Sequence, residues 1–410
     1  MTKEGTAAAG VAEPARIPKG IWALGYVSLF MGISNSLVYS LFPIYMKEVL
    51  MISMSVVGII EGIAQSTMSV VRLFAGAFSD WLGRRKVLTV VGYSITLVTR
   101  LVIPLVATPL QVVGVRFMER FGIGVRSAAR DALIADLVPR SIIGASFGLR
   151  HSLDRAGAVI GPLLAMLLMF LLSNNFQAVF WFAVIPAVVS VAILVIVVQD
   201  APRTPAQMRE PRTRLKLAEM ARLGAPLWWF VALNSVLNLS FYSEAFLSLR
   251  AAGVGLPFEL IPLVLIAQNV THSACAYPAG KLSDRIGRVK ILVGGFCVLI
   301  AAHLVLAIAP NPWIVMIGAM LWGVYRGTSR SGMNAIVADL APPHLRGTAF
   351  GVQQVTNAVS ALLANVMAGF VWQYHGAHVT YYLGAGLAVI ALLSFMLWVK
   401  VYGETLKKTT

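Results

Sequence analysis

Gly76-Ala77-Phe78-Ser79-Asp80-Trp81-Leu82-Gly83-Arg84-Arg85-Lys86 returns 204 residues later as Gly280-Lys281-Leu282-Ser283-Asp284-Arg285-Ile286-Gly287-Arg288-Val289-Lys290. Each copy joins two apolar runs of about 20 residues, the length that crosses the ~30 Å hydrocarbon core of a bilayer. Two further pairs keep nearly the same offset. Ala135-Asp136-Leu137-x-Pro139 matches Ala338-Asp339-Leu340-x-Pro342, and Asn35-x-x-x-Tyr39-Ser40 matches Asn238-x-x-x-Tyr242-Ser243, both shifted by 203. The chain therefore reads as a parallel duplication of one six-helix unit.

Composition gives the setting. Of 410 residues, 58% are hydrophobic and 12% charged, and the mean hydropathy is +0.79. Soluble domains carry about a quarter charged residues. The expected fold is all-α and polytopic, with twelve transmembrane helices in two six-helix repeats near 20–45, 54–79, 86–106, 110–137, 143–172, 175–199, 226–249, 258–283, 289–309, 312–340, 346–372 and 379–402. Short alternating segments, the mark of a membrane β-barrel, are missing. The organisation follows: a disordered tail at 1–19, helical bundles at 20–199 and 226–402, a basic linker at 200–225 and a tail at 403–410.

The net charge of +16 would point to nucleic acid in a soluble protein; here it reads as loop Lys and Arg following the positive-inside rule. Alternate loops hold Arg84, Arg85, Lys86, Arg140, Arg288, Lys290 and Arg346, whereas the other set offers only Lys47 and Arg250. Both termini are thus expected in the cytoplasm, with the chain in the cell's inner (plasma) membrane. Cys275 and Cys297 give no metal or disulfide spacing. With no HExxH, GxSxG, Walker loop or CxxC, the sequence points away from an enzyme. No cofactor, metal or nucleic-acid partner is expected.

The doubled loop resembles the signature of the major facilitator superfamily, and the resemblance runs from about residue 20 to the end of the chain. Phe78 and Trp81 stand in the first copy where the second has Leu282 and Arg285. The resemblance implies transport by alternating access. Gly76 is expected to allow close helix approach, and Gly83 to allow the reversal. Asp80, Arg84, Arg85 and Asp136, with Asp284, Arg288 and Asp339, are expected to latch the halves in one state and release them in the other. Gly148-x8-Gly157-x3-Gly161-Pro162 resembles the antiporter motif of drug/proton exporters, with Ala165-Met166 in place of its closing Gly-Gly.

An ionisable group at the centre of a membrane helix costs roughly 2.5–3.5 kcal/mol on insertion scales, so such groups mark working sites. Those in one half only are the better functional candidates. Glu119, Arg120, Arg126, Arg130, Asp131, His151 and Asp154 correspond to Trp322, Gly323, Ser329, Met333, Asn334, Gln354 and Asn357; Glu61 and Arg72 correspond to Leu265 and Ala276. The first half is the charged one and the second supplies amides and aromatics. Arg116 to Asp131 place their charges on one stripe of the fourth helix. Asp131 and Asp154 are expected at similar depth with Arg72, and Glu61 nearer Arg116 and Arg100. Asp131 is the favoured proton-coupling acid; Asp154, Glu61 and His151 are alternatives. Arg130 and Arg126, then Arg72, Arg116, Arg120 and Arg155, are the charge partners. A static ion-pair network is the competing reading.

The expected substrate wall comprises Asn35, Tyr39, Asn238, Tyr242 and Glu244, with Asn269, Tyr325, Arg326 and Arg330, since carriers built from repeats bind near the midplane between them. The sequence thus predicts a secondary transporter, acting as a monomer, for proton-coupled export of a small organic molecule or drug. Uptake, or carriage of an organic anion, phosphate-bearing solute or metal chelate, is the alternative; a membrane sensor or enzyme is remote.

Overall fold

A computed structural model describes residues 17–82, 84–200, 223–342 and 345–407, and contains helices but no strands among them. The expected tail at 1–19 and linker at 200–225 fall largely outside these residues. The first half comprises α1 (Lys19–Ile44), α2 (Met54–Leu82), α3 (Arg85–Val102), α4 (Pro109–Leu137), α5 (Ile143–Leu171), α6 (Phe176–Phe182) and α7 (Val184–Ile196). The second comprises α8 (Ala225–Leu239), α9 (Ala245–Gly253), α10 (Pro262–Ile286), α11 (Arg288–Ile308), α12 (Pro312–Leu340) and α13 (Arg346–Lys407). Eight helical stretches among the described residues are long and apolar enough to cross a bilayer.

Two devices recur in both halves. α4 begins with Pro109 after Thr108, whose hydroxyl accepts from the Gln111 amide. α12 begins with Pro312 after Asn311, whose side chain accepts from the Ile314 amide. A capping side chain followed by proline satisfies one free N–H and removes another. At the doubled loop, Gly287 takes φ +92° between α10 and α11, a conformation that glycine alone adopts freely. Its counterpart Gly83 lies outside the described residues.

Several boundaries differ from expectation, among them the sixth span, expected unbroken over 175–199, which divides at Ala183 into α6 and α7. The seventh span, expected unbroken over 226–249, stops at Leu239 and restarts at Ala245. Near the break, Asn238 donates to the Asn234 carbonyl at 2.7 Å and Ser240 to the Leu237 carbonyl at 2.7 Å, the local competition by which such side chains loosen a helix end. α13 makes two passes that meet at Gly376, φ +86°. It then runs to Lys407, past the expected end at 402.

The start of α1 and the turns at 138–142, 287 and 341–342 lie at one end of the bundle, here the terminal face; the turns after α1, α3, α5, α9 and α11 lie at the distal face. Toward the distal face the halves meet backbone to backbone. A Cβ on Gly58 of α2 would lie 2.8 Å from Gly369 Cα and 2.4 Å from the Asn365 carbonyl on α13; one on Gly62 would lie 2.9 Å from the Leu362 carbonyl. Small residues permit this approach in a membrane, where close packing replaces the hydrophobic drive. The Met54 amide donates to Gln373 at 2.9 Å, and Asn174 donates to Glu259 at 2.6 Å, both across the halves.

Candidate functional site

Toward the terminal face the halves part around a cavity of about 640 Å³. Gln65, Ser69 and Arg72 of α2 line one side. Asn234 and Asn238 of α8, Phe241 and Glu244 of the break, and Tyr325 and Arg326 of α12 face them. Gln353, Gln354 and Asn357 of α13 add amides, and the cavity continues past Asn334 and Gly347 to the terminal face. The expected division holds only in part: amides and aromatics come chiefly from the second half, but of the charged lining residues only Arg72 comes from the first half, and Glu244 and Arg326 come from the second.

The distal end of the cavity is closed by a buried polar knot. Tyr39 and Ser243 hydroxyls lie 3.0 Å apart, and Ser243 Oγ donates to Glu61 Oε2 at 2.7 Å. The Ser243 amide donates to Asn365 Oδ1 at 2.7 Å. Glu61, wholly buried, accepts from Arg116 at 2.5 Å. Arg116 also donates to Glu119 at 2.6 Å, and Glu119 accepts from Arg100, which donates to Asn35 at 2.7 Å. Two acids and two arginines alternate here, each with a side chain at most 5% exposed. Arg116 and Arg120 both lie over the Tyr39 ring, 5.3 Å from its centre, a favourable placing for a cation.

A second cluster lies nearer the terminal face and is wetter. Asp131, 29% exposed, pairs with Arg130 at 3.1 Å, Arg150 at 3.2 Å and Arg72 at 3.8 Å. Arg150 reaches Asp154 at 3.5 Å, and Arg130 also donates to the Tyr93 hydroxyl at 3.3 Å. The expected depths therefore hold, with Asp131, Asp154 and Arg72 together and Glu61 beside Arg116.

Other candidates land elsewhere. His151 and Arg155 are exposed, and Arg155 forms no ion pair among the described residues. Arg126 packs 4.5 Å over the Tyr93 ring rather than against a carboxylate. Asn269 donates back to Leu265 of its own helix and does not line the cavity. Asn35 and Tyr39 belong to the distal knot, whereas Tyr242 does line the cavity, its buried hydroxyl donating to the Thr380 carbonyl at 3.1 Å. The side chains of Asp80, Asp284 and Arg330 lie outside the described residues.

The latch and motif residues divide too. Arg85 pairs with Asp136 at 2.8 Å, and Arg288 with Asp339, each pair within its own half. Arg84 is exposed. A Cβ on Gly76 would meet nothing within 4 Å, nor would one on Gly148, so neither serves close packing in this conformation. Gly157 and Gly161 do: a Cβ on them would lie 2.5 Å and 2.6 Å from the Leu29 and Ile33 carbonyls of α1. Pro162 sits buried inside α5 directly after that contact.

Sequence reasoning gave Glu119, Arg100, Arg150 and Ser243 no place among the coupling acids, their charge partners or the substrate wall. Glu119 shares the α4 stripe, and Ser243 ends the repeated Asn-x-x-x-Tyr-Ser, so both carried a signal. Arg100 and Arg150 are ordinary charges until their neighbours are known. Among the described residues no group of three His, Cys, Asp or Glu side chains is placed to hold a metal ion.

A sequence profile described as Major Facilitator Superfamily matches residues 24–267 and 245–409. An uncharacterised MFS-type transporter of Methanocaldococcus jannaschii is 26% identical over 381 residues, covering 92% of this chain and 94% of its own. The inner membrane transport protein YajR of Escherichia coli is 27% identical over 140 residues, 34% of this chain and 30% of its own. Among solved structures, the nucleoside transporter NupG superposes with a TM-score of 0.75 at 14% identity, over 93% of this chain and 100% of that one. A bacterial homolog of the human lysosomal transporter Spinster, inward-facing and unoccupied, does so with 0.71 at 13%, over 94% and 98%. The chain belongs to the major facilitator superfamily, a family of multi-pass membrane transporters.

Proposed function

We propose that this transporter exchanges protons for a small organic solute by alternating access, with Glu61 as the coupling acid. Cationic loops cluster at the terminal face, which the positive-inside rule assigns to the cytoplasm. On that assignment the cavity opens inward, and the glycine contacts of α2 and α13 close the outward path. Both termini are then cytoplasmic and the helical passes number twelve.

The observation that carries the reading is the Ser243–Glu61 hydrogen bond, which joins the halves at the closed end of the cavity. A coupling acid must change its surroundings when the halves rock, because dry and paired carboxylates hold protons differently. Asp131 meets this condition less well: Arg72, Arg130 and Arg150 all belong to α2, α4 and α5 of its own half and travel with it. Glu61 loses Ser243 whenever the distal face opens. A proton taken up there neutralises the acid, releases Arg116 toward Glu119, and leaves as the distal contacts re-form.

The test uses inverted vesicles energised acid-inside, a pH-sensitive dye, and a panel of lipophilic cations, organic anions and metal chelates. One compound class should dissipate the gradient. Glu61→Gln should abolish that response while retaining solute-for-solute exchange, and Asp131→Asn should preserve it. Loss in Asp131→Asn alone would return the coupling role to Asp131. A gradient that no compound disturbs would argue against proton exchange.

A further inference from the structure

The geometry points to a zwitterionic solute, with its carboxylate held by Arg326 and its ammonium by Glu244; this rests on reading the cavity as the transport site. Among the described residues that line the cavity, only Arg72, Glu244 and Arg326 are charged. Arg72 lies toward the terminal face and turns to Asp131, 3.8 Å away. Glu244 and Arg326 pair with each other from two elements of the second half, the break between α8 and α9 and α12. Their side chains are 19% and 21% exposed, whereas the acids and arginines of the distal knot are at most 5% exposed. This pair is presented to the cavity and the knot is not.

A neutral acid–base pair selects by what it leaves behind. A simple cation that takes Glu244 removes that carboxylate from Arg326, and a simple anion that takes Arg326 removes that guanidinium from Glu244. Breaking an ion pair in a partly dry cavity for only one of its members is the costly outcome. A solute carrying both charges replaces both partners at once, with charge-assisted hydrogen bonds of the stronger class. The surroundings suit this exchange. Gln268 donates to Glu244 Oε1 at 3.3 Å, and Phe241 lies 5.8 Å from the Arg326 guanidinium, so each partner keeps a neighbour when the pair opens. Asn234, Asn238, Gln353 and Asn357 offer donors and acceptors together to the polar remainder of the solute.

The pair also sits where binding is felt. Glu244 follows Ser243, whose hydroxyl donates to Glu61 and whose amide donates to Asn365. Opening the Glu244–Arg326 pair frees one side of the break, and the next residue along the chain holds the proposed coupling acid. Solute binding and proton uptake thus meet within two consecutive residues.

The test is thermal stabilisation of the purified full chain in detergent by four pools made from one set of side chains. The pools are free amino acids and dipeptides (zwitterions), their methyl esters (cations), their N-acetyl derivatives (anions) and the N-acetyl amides (neutral). The zwitterion pool should raise the unfolding temperature most. Glu244→Gln and Arg326→Gln should each weaken its apparent affinity by about tenfold or more, as loss of a hydrogen bond to a charged group does. Glu244→Gln should move the preference toward N-acetyl anions and Arg326→Gln toward esters. The wild-type ranking decides the class even where a variant does not fold. Equal or greater stabilisation by another pool, or by none, overturns the zwitterion assignment. Stabilisation that survives Asn238→Trp, which fills the cavity, overturns the cavity itself as the solute site.

Discussion

Glu119→Gln should destabilise the protein severely, and a second substitution should rescue it. Glu61, Glu119, Arg100 and Arg116 form a buried quartet with two charges of each sign. Neutralising Glu119 leaves the quartet with one excess positive charge. Arg100, wholly buried, then has no described carboxylate partner, and its Nε and Nη1 already lack a hydrogen-bond partner. Breaking a buried pair by removing one partner costs about 3–5 kcal/mol. Taking a six-helix half as the cooperative unit, at about 2–4 °C per kcal/mol for that size, the unfolding temperature should fall by about 6–20 °C. Adding Arg100→Met removes the stranded charge and restores balance, because an apolar replacement of a buried pair is close to neutral. The double variant should therefore unfold near the wild type, in detergent scans at one fixed rate since such unfolding is often irreversible. A single variant indistinguishable from wild type, or a double variant as weak as the single, would show that these charges do not depend on one another.

Gly58→Ala should push α2 away from Gly369 and favour the state open at the distal face, so a cysteine at Leu362 should react faster with an impermeant maleimide. Unchanged labelling would mean the two helices adjust without parting. His151→Asn and Arg155→Gln alter exposed side chains, and each should shift stability by no more than about 0.5 kcal/mol and leave proton exchange intact. A changed pH profile in His151→Asn would place that imidazole on the proton path after all. Cysteines at Thr2 and Met51 should be labelled from opposite sides of the membrane, Thr2 from the cytoplasm; labelling from one side, or Thr2 from outside, would refute the orientation.

The sequence disclosed the duplication because paired Gly, Asp and Arg in register outlast divergence elsewhere, and it disclosed the working half because charges in membrane helices are few. Periodicity and span direction also placed Asp131, Asp154 and Arg72 at one depth, and the structure brings them together. What periodicity lacks is the identity of the neighbouring helix. A stripe on α4 states that Glu119 and Asp131 face inward, not that one meets Arg100 and the other Arg150. The break at 240–244 was hidden for a related reason: Ser240-Phe241-Tyr242-Ser243 contains neither glycine nor proline, and only side-chain bonds to nearby carbonyls reveal why the helix stops. The glycines show the same gap from the other side. Gly76 and Gly148 belong to recognisable motifs yet a Cβ on either would meet nothing within 4 Å, whereas Gly58 and Gly369 belong to none and lie where the halves meet backbone to backbone.

These differences share a physical origin. Residues that stabilise one half meet the same neighbours throughout the cycle, so their pattern repeats and is readable. Residues that act between halves meet a partner in one state only, and that partner lies about 180 residues away, as Ser243 does from Glu61. Asp131, the acid favoured from the sequence, is held by arginines of its own half. Glu61, the coupling acid proposed above, bonds across the halves to Ser243, so a rocking motion that parts the halves there would change its surroundings.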